Sequence, residues 1–529
     1  MAAWRPVIGC NAGMALLRSI ATVGGFTMIS RLLGFARDIL IAATLGAGPV
    51  ADAFFVAFKL PNFFRRLFAE GAFNAAFIPL FTRQMSEGGR EAARGFAEEV
   101  LSVFVVTLLF FVTALQVAMP WVMYGFAPGF ADDPYRFGLA VQLAQVTFPY
   151  LLFISLVSQL GGVLNALGRF AAAAATPIIL NLCLIAAILG LSPFVETPGH
   201  ALAWGVAAAG AAQFVWLMVA CHRAEFALRL LRPRLTPRVK RLLILMLPGV
   251  IGAGVVQINL LIDVVIASLL PSGSVSFLYY ADRVNQLPLG VIGVAVGTAL
   301  LPLLSRQLRA GEDAAAAASM NRALEFALLL TVPGAAALVV MPDLIVSVLF
   351  ERGAFGVAET AATSAALAAY ALGLPAYVLI KVLAPGFFAR EDTATPVKVA
   401  AFCVAINLAL NLALMGPLQH VGIALATAVS AWINAGLLAL LLVRRGHFAA
   451  DARLRRAVPR TVLASAAMAG ALWLTQDALS VFADVDAARA AAVLAVLVAL
   501  GLVVFAAAAV GFGAARLSDI KRLLDRSPG

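Results

Sequence analysis

The sequence predicts an all-α polytopic membrane protein, and three observations support this prediction. Hydrophobic residues make up 63% of the 529 residues and charged residues only 12%, whereas soluble domains contain about 25% charged residues. Apolar runs of about 20 residues, long enough to cross the hydrocarbon core as helices, follow one another along the chain. Basic residues gather in the short segments between these runs.

Fourteen apolar runs, bounded by charged or turn-forming residues, are the predicted transmembrane helices. Runs much longer than about 25 residues must tilt, kink or extend beyond the bilayer. The predicted spans are 15–44, 50–82, 95–119, 137–167, 170–192, 199–221, 239–270, 274–306, 318–341, 358–388, 395–415, 420–443, 459–477 and 487–513.

The basic residues between the spans predict the orientation of the chain. With the N-terminus in the cytoplasm, the basic clusters fall on the inner side, while the outer loops hold only Arg136, Arg352 and Arg489. This asymmetry follows the positive-inside rule and predicts that both termini are cytoplasmic. Because these loops account for the net charge of +11, nucleic acid is not an expected partner.

An internal repeat predicts two pseudo-symmetric six-helix lobes. IPLFTRQMSEG at 78–88 recurs as LPLLSRQLRAG at 301–311, displaced by 223 residues, and ALAWGVA recurs as ALATAVS at the same displacement. Since six is even, both halves enter the membrane in the same sense and are expected to share a cavity. The predicted organisation is an N-terminal extension 1–13, an N-lobe 14–222, a basic cytoplasmic linker 223–241, a C-lobe 242–445, and 446–529 with the last helix pair and a cytoplasmic tail.

The stretch 30–83 is too highly charged for two helices that face lipid. It contains nine charged residues, eight of them between positions 31 and 70, and each Arg, Lys or Asp at mid-bilayer costs roughly 2.5–3.5 kcal/mol. A polar cavity inside the helix bundle is the better explanation. The corresponding part of the second half contributes Asp263, Asp282 and Arg283.

Arginines in these stretches are candidate ligands for an anion such as a phosphate, because guanidinium binds phosphate oxygens in a bidentate manner and stays charged. Nearby acids would orient the arginines. Alternatively, Arg66 and Glu70 simply form a pair four residues apart on one helix. The candidate site residues are Arg31, Arg37, Arg65, Arg66 and Arg283, with the acids Asp38, Asp52, Glu70 and Asp282.

A second set of oxygen-bearing side chains lies in later spans: Asp263, Asn407, Asn411 and Thr427. Such oxygens suit a small hard cation. Only one of the four is charged, so hydrogen bonding between helices is the competing and simpler interpretation. Neither a GxxxxGK[ST] loop nor an HExxH motif occurs, so the motifs favour a transporter over an enzyme, and no cofactor is expected apart from a coupling ion.

Several stretches resemble the MurJ (MviN) family of bacterial lipid II flippases, part of the multidrug/oligosaccharidyl-lipid/polysaccharide exporter superfamily. They are SRLLGFARD, ADAFFVAFKLPNFFRRLFAEGAFNAAFIP, APGF, YYADR and KVLAPGFFARED followed by TPVK. The resemblance implies fourteen helices, with a groove for the undecaprenyl tail at the C-terminal pair. It also implies that Arg31, Arg37, Arg65 and Arg283 match essential cavity arginines, and that Asp38 and Asp52 match essential acids.

The resemblance makes Na⁺ the candidate coupling ion at Asp263, Asn407, Asn411 and Thr427. Two positions depart from some relatives: Asn411 and Gln286 stand where those chains have an acid. A role for the acid at position 286 therefore does not transfer to this chain, and the amide at position 411 affects the affinity of the candidate cation site.

The expected function is the movement of lipid II, an undecaprenyl-diphosphate-linked disaccharide-peptide, from the inner to the outer leaflet of the bacterial cytoplasmic membrane by alternating access. Membrane potential, a cation gradient or both would drive it, and a monomer in contact with membrane lipid is expected. The alternative is a cation-coupled multidrug antiporter, which needs an apolar or acidic cavity, whereas this cavity is rich in arginine. A membrane scaffold or a lipid-modifying enzyme is disfavoured by the charged interior and by the absence of catalytic motifs.

Overall fold

The computed structural model describes residues 10–483 and 486–514 of the chain, without the side chains of 10–21, 69–72, 251–253, 255–256, 291–299 and 480–483. Most of the predicted extension 1–13 and part of the predicted tail lie outside the described residues. Across the described ranges the protein is helical, and its only extended pairing is an isolated bridge between Arg352 and Phe355. The all-α prediction is confirmed.

The chain divides into two compact units, the first ending at Val265 and the second beginning at Ile266. The helices that lie wholly in the first unit are α1 (Cys10–Leu45), α2 (Pro49–Phe64), a π-helical segment (Arg65–Phe73), α3 (Asn74–Val117), α4 (Met119–Phe126), a 3₁₀ turn (Pro128–Asp132), α5 (Pro134–Thr147), α6 (Tyr150–Ala166), α7 (Phe170–Leu191), a 3₁₀ turn (Ser192–Phe194) and α8 (Pro198–Arg223).

The boundary between the units falls within α9 (Pro237–Ser268). The second unit continues with α10 (Ser274–Arg309), α11 (Asp313–Val340), α12 (Pro342–Phe350), α13 (Val357–Phe388), α14 (Ala394–Arg444), α15 (Ala452–Ala483) and α16 (Ala487–Gly511).

Two of these elements are each a pair of helices joined at a sharp backbone break. Gly89 divides α3 with φ 71° and ψ −167°, and Gln419 divides α14 with φ 49° and ψ −131°. Positive φ is readily adopted by glycine and is uncommon for glutamine. Both breaks fall in predicted gaps between spans. Nine helices of the described part are long and apolar enough to cross a membrane, with α3 and α14 each counted once, so the number fourteen stays a prediction.

Residues of the predicted linker 223–241 pack against α3. Glu98 Oε1 accepts a hydrogen bond from the backbone N–H of Arg229 at 3.0 Å, and the Ser102 hydroxyl on the next turn accepts another linker N–H at 2.8 Å. These bonds satisfy backbone donors of residues 224–236, the part of the linker between α8 and α9 that is not helical.

Phenylalanine rings pack the region around the π-helical segment against α3 and the start of α6. Phe64 contacts Phe111 and Phe148 edge-to-face, with ring centroids 5.2 and 6.0 Å apart. Phe73, at the end of the π-helical segment, stacks on Phe104 at 4.9 Å. Such pairs contribute about 0.5–1.5 kcal/mol each beyond the area they bury, so this aromatic cluster holds the arginine-bearing segment in place.

Candidate functional site

Arg37 and Asp38, neighbours in α1, form a buried ion pair. Arg37 donates from Nε and Nη2 to Asp38 Oδ1 at 3.0 and 2.7 Å, and the two residues are only 6% and 3% exposed. The remaining terminal nitrogen of Arg37 donates to Asn181 Oδ1 on α7 at 2.9 Å. Asn181 in turn donates to the backbone carbonyl of Ser30 at 2.9 Å. Asn181 therefore joins α7 to α1 and at the same time provides an acceptor for the buried guanidinium.

A second buried ion pair joins α2 to α5. Arg136 Nη2 donates to Asp52 Oδ2 at 2.9 Å, and both side chains are almost fully buried. The Arg136 guanidinium also lies 3.8 Å from the centroid of the Phe130 ring, a cation–π contact. The sequence pattern predicts that Asp52 orients one of the candidate arginines, which stays a prediction; the ion pair with Arg136 is one that the sequence pattern did not predict.

Arg136 is the main charged residue that the sequence patterns misplace, because it is expected in an outer loop. In the structure it lies in the first turn of α5 and is buried. Asp133 caps this helix by accepting from the backbone N–H groups of Tyr135 and Arg136. An acidic residue followed directly by proline is a typical start of a helix, so the Asp133–Pro134 step was the signal that could have placed Arg136 inside the helix.

Arg65 and Arg66 open the π-helical segment, which interrupts the second predicted span. Helices of this class are rare and often occur at functional sites. Arg65 is partly buried and its Nε donates to Asn62 Oδ1 at 3.1 Å, whereas Arg66 is exposed. The side chain of Glu70 lies outside the described residues, so the Arg66–Glu70 pairing stays a prediction. Arg31, on α1, is exposed.

Arg65 also lines a cavity of about 410 Å³ inside the first unit, between α3, α6, α7 and α8. Two hydrogen bonds cross its walls: Asn74 donates to the Ser158 hydroxyl at 3.0 Å, and Gln213 donates to the backbone carbonyl of Thr176 at 2.7 Å. Among the described residues that line the cavity, Arg65 is the one cation and no side chain is a carboxylate. The sequence patterns did not identify these neutral residues, because the residues come together only through the packing of four helices.

In the second unit, Asp282 and Arg283 lie side by side on α10 and are partly buried. Gln286 donates to Asp282 Oδ2 at 2.5 Å, and the Arg283 guanidinium lies 4.8 Å from the centroid of the Tyr279 ring. An acid in place of Gln286 would repel Asp282, whereas the amide donates to it. The amide at this position therefore fits its neighbour.

The neutral members of the candidate cation site form a hydrogen-bonded group within α14. Asn411 donates to Asn407 Oδ1 at 3.0 Å, and Asn407 donates to the Thr427 hydroxyl at 3.4 Å, across the break at Gln419. Asn407 and Asn411 are 1% and 0% exposed. Amide and hydroxyl oxygens fit Na⁺ by type, yet those of Asn407 and Thr427 already accept hydrogen bonds.

Asp263, the charged member of that candidate set, belongs to the first compact unit. Within the described part of the chain there is no group of three or more His, Cys, Asp or Glu side chains that could hold a metal ion. The geometry among the three neutral residues is that of hydrogen bonding between helical segments.

Comparison with known proteins identifies the family. A family model described as "Lipid II flippase MurJ" matches residues 41–487. A protein of Rhizobium meliloti (strain 1021), named probable lipid II flippase MurJ, is 48% identical over 520 residues, covering 97% of both chains.

Solved structures agree with this assignment. A structure of lipid II flippase MurJ in an inward closed conformation matches with a TM-score of 0.76 at 26% identity, covering 95% of this chain and 99% of that one. An inward-facing multidrug-resistance transporter of the MATE family, described as a member of the MOP superfamily, matches with a TM-score of 0.65 at 14% identity, over 81% of this chain and 98% of that one. The second likeness concerns the fold alone.

Proposed function

The chain belongs to the lipid II flippase MurJ family, and from this premise we propose that it moves lipid II from the inner to the outer leaflet of the bacterial cytoplasmic membrane by alternating access. In this proposal the diphosphate of the substrate is held by arginines, and the polyprenyl tail stays in the lipid phase.

The Arg37–Asp38–Asn181 group is the observation that supports the diphosphate role most strongly. Replacing a buried ion pair by apolar residues is often neutral or stabilising, so burial of an arginine in an apolar helix points to a function other than stability. Asp38 neutralises Arg37 within the protein. A diphosphate carries more negative charge than one carboxylate and would compete with Asp38 for the same guanidinium.

Arg31, Arg65 and Arg283 are the further arginines that we assign to the diphosphate, with Asp282 as a neighbouring acid on α10. Arg31 is exposed, and Arg65 and Arg283 are partly buried. Asp52 receives a different assignment. Its pairing with Arg136 at 2.9 Å supports a structural role for Asp52, which fixes α2 against α5.

The membrane potential is the proposed driving force. An inward-negative potential favours outward movement of negative charge by about 2.3 kcal/mol per charge per 100 mV, and the returning carrier would be reset by a cation. Na⁺ with Asp263, Asn407, Asn411 and Thr427 is the candidate for that step. Unchanged transport after replacement of Na⁺ by choline, together with an unaffected Asp263→Ala variant, would exclude it.

Translocation of labelled lipid II in vesicles tests the proposal. Arg37→Ala should abolish translocation while the protein remains inserted in the membrane. Arg83→Ala is the matched control, because Arg83 is exposed and forms a surface pair with Glu87 four residues away, which contributes little. Normal translocation by Arg37→Ala would contradict the diphosphate role. Efflux of a cationic drug without lipid II translocation would replace the proposal by the antiporter.

A further inference from the structure

A second cavity of the first unit is an apolar groove with two arginines at one end. Its volume of about 470 Å³ lies within the roughly 300–1,000 Å³ of small-molecule pockets. The groove lies between α1, the turn from α6 to α7, and α8, and it shares no lining residue with the cavity beside Arg65. Its walls are mainly apolar and include Phe26 of α1, Phe170 of α7, and Trp216 and Val219 of α8.

The two arginines of the groove are Arg169 and Arg223, and both are exposed. Arg169 occupies the N-cap position of α7, and Arg223 is the last residue of α8. Arg169 Nη1 donates to the backbone carbonyl of Arg223 at 3.2 Å, which brings two positive charges to the same end of the groove. Because like charges repel, the pair favours an anionic group that accepts hydrogen bonds from both.

The helices of the groove provide no carboxylate for these arginines. α7 and α8 contain no Asp or Glu, and the first acid of the sequence, Asp38, is bonded to Arg37. Among the described residues that line the groove, none is acidic, and Glu225, two residues after Arg223, is not one of them. The counter-charge is therefore not supplied by the walls of the groove.

The second half of the internal repeat shows how such an arginine is neutralised within the chain. Arg445 corresponds to Arg223, because each stands at the C-terminal end of an apolar helix and a phenylalanine follows each of them three residues later. Arg445 donates from Nη1 to Asp392 Oδ2 at 2.5 Å and from Nη2 to the Thr395 hydroxyl at 2.9 Å. The corresponding stretch of the first half, GRFAAAAATP at 168–177, contains an arginine and no acid. An anionic ligand would take the place that Asp392 has in the second half.

The apolar walls indicate which kind of anion fits. Trp216 is 43% exposed, and its Nε1 donates to the Ala172 carbonyl at 3.0 Å, so its polar atom is satisfied and its apolar ring faces outward. Such tryptophans are typical of the boundary between hydrocarbon and water. The positive-inside rule explains why arginines lie on this side of the membrane, but it does not explain why two of them converge on a groove with aromatic walls. A small inorganic anion gains nothing from those walls, whereas a phospholipid presents a phosphate and hydrocarbon chains together.

We propose that this groove, defined by Phe26, Arg169, Trp216 and Arg223, binds an anionic glycerophospholipid of the inner leaflet, with its phosphate at the two arginines and an acyl chain along the apolar walls. Guanidinium binds phosphate oxygens in a bidentate manner, and basic pockets between membrane helices suit anionic head groups. None of the residues assigned to the diphosphate lines the groove, so the proposal goes beyond the proposed function. The bound lipid contacts α1, α7 and α8 together and thereby stabilises the first unit.

The experiment measures thermal unfolding of the delipidated full-length protein in detergent as phosphatidylglycerol is added. A ligand that binds the folded state raises the melting temperature as its concentration increases. Phosphatidylglycerol should raise it, whereas phosphatidylcholine with the same acyl chains, whose head group has no net charge, should have a much smaller effect. Arg169→Gln/Arg223→Gln should need roughly tenfold more phosphatidylglycerol for the same shift, because hydrogen bonds to a charged phosphate are lost.

Arg309→Gln/Arg444→Gln is the matched control. Both residues are exposed and lie on the predicted inner side of the second half, and neither lines the groove. This variant loses the same net charge as the first one and should respond to phosphatidylglycerol like the wild type. Ala171→Phe fills the groove from an exposed position of α7 and keeps both arginines. It should also weaken the response, and it covers the case in which the double arginine variant fails to fold.

Three results would overturn the proposal. The first is an unchanged response in both Arg169→Gln/Arg223→Gln and Ala171→Phe, and the second is an equal effect of phosphatidylcholine and phosphatidylglycerol on the wild type. The third is an equal loss in Arg309→Gln/Arg444→Gln, which would show a diffuse attraction between charges in place of a site.

Undecaprenyl diphosphate as a second probe distinguishes the phospholipid from the transported lipid. If the variants of the groove weaken its effect as much as that of phosphatidylglycerol, the groove takes the substrate and the phospholipid assignment is overturned. Arg37→Ala separates this proposal from the proposed function, because it should bind undecaprenyl diphosphate more weakly and keep the full response to phosphatidylglycerol.

Discussion

The first unit buries full charges inside its helices, while the group in α14 of the second unit buries neutral amides. Arg37 with Asp38 and Arg136 with Asp52 are ion pairs with little solvent contact. Asn407, Asn411 and Thr427 are joined by ordinary hydrogen bonds of 3.0 and 3.4 Å. The Asp52–Arg136 pair and the α14 group each link helical segments, but the free energy that depends on the link is larger for the charged pair.

The charged and the neutral groups differ in how much stability is lost when one partner is removed. A buried charge left without its partner destabilises a protein by about 3–5 kcal/mol. A hydrogen bond between neutral side chains within a membrane contributes about 0.6 kcal/mol on average and up to about 1.7. The first unit is therefore expected to be sensitive to single substitutions at its polar positions, and the α14 group to be tolerant.

The largest expected effect is at the Asp52–Arg136 pair. Asp52→Asn keeps the shape of the side chain but leaves Arg136 as an uncompensated buried cation, which should lower the free energy of unfolding by about 3 kcal/mol. Thermal unfolding of the detergent-solubilised protein measures this loss. The double variant Asp52→Asn/Arg136→Gln should recover part of it, because no net charge remains. A double variant as unstable as the sum of the two single variants would show that the pair is not coupled.

An intermediate effect is expected at Asn181, compared with Asn411. Asn181→Ala removes the acceptor of a charged donor, the Arg37 guanidinium, and should cost about 1.5–3 kcal/mol. Asn411→Ala removes a neutral amide bond and should cost about 1 kcal/mol, with part of that due to the lost volume. The same unfolding assay ranks the two variants. Equal losses of unfolding free energy in the two variants would show that the charged and the neutral group do not differ in their contribution to stability.

The smallest effect is expected at Asp392, in the turn between α13 and α14, and it depends on pH. The Thr395 hydroxyl and backbone N–H, together with the Arg445 guanidinium, hold the pKa of the Asp392 carboxyl well below its usual range. A carboxyl with a lowered pKa stabilises the folded state above its unfolded pKa of about 3.9, and this contribution is lost as the pH falls through the folded pKa.

Asp392→Asn should therefore lower stability by about 1 kcal/mol at pH 7, after allowance for partial exposure of the pair. The difference in stability between the wild type and the variant should become smaller as the pH is lowered below about 4. Melting temperatures measured from pH 7 to pH 3 test this. A difference in melting temperature that increases toward low pH would contradict the prediction.

Much of the fold could be predicted from the sequence because the length of each apolar run determines whether it can cross a bilayer as a helix. The breaks at Gly89 and Gln419 fall where the apolar runs are interrupted. The π-helical segment could not be predicted from the sequence. A π-helix differs from an α-helix in that its backbone hydrogen bonds join residues five apart instead of four, and the apolar pattern does not distinguish the two. Pro61 before the segment and Gly71 within it are residues that weaken an α-helix, but neither specifies a π-helix.

The candidate site was predictable where charge stands out against an apolar background and not elsewhere. Arg37 and Asp38 are conspicuous in α1 by charge alone. Asn181 and Gln213 are neutral residues of apolar helices, and their roles depend on partners 144 and 37 residues away. Pairings of that kind are set by the packing of helices, which the sequence pattern does not contain.

The central claim is that, of the two buried ion pairs of the first unit, one serves the substrate and the other serves the fold. The most direct test is the affinity for undecaprenyl diphosphate of the wild type, Arg37→Ala and Asp52→Asn, each measured on folded protein below its melting temperature. Arg37→Ala should lose at least tenfold in affinity, whereas Asp52→Asn should bind like the wild type. Unchanged binding by Arg37→Ala, or an equal loss in Asp52→Asn, would contradict the claim.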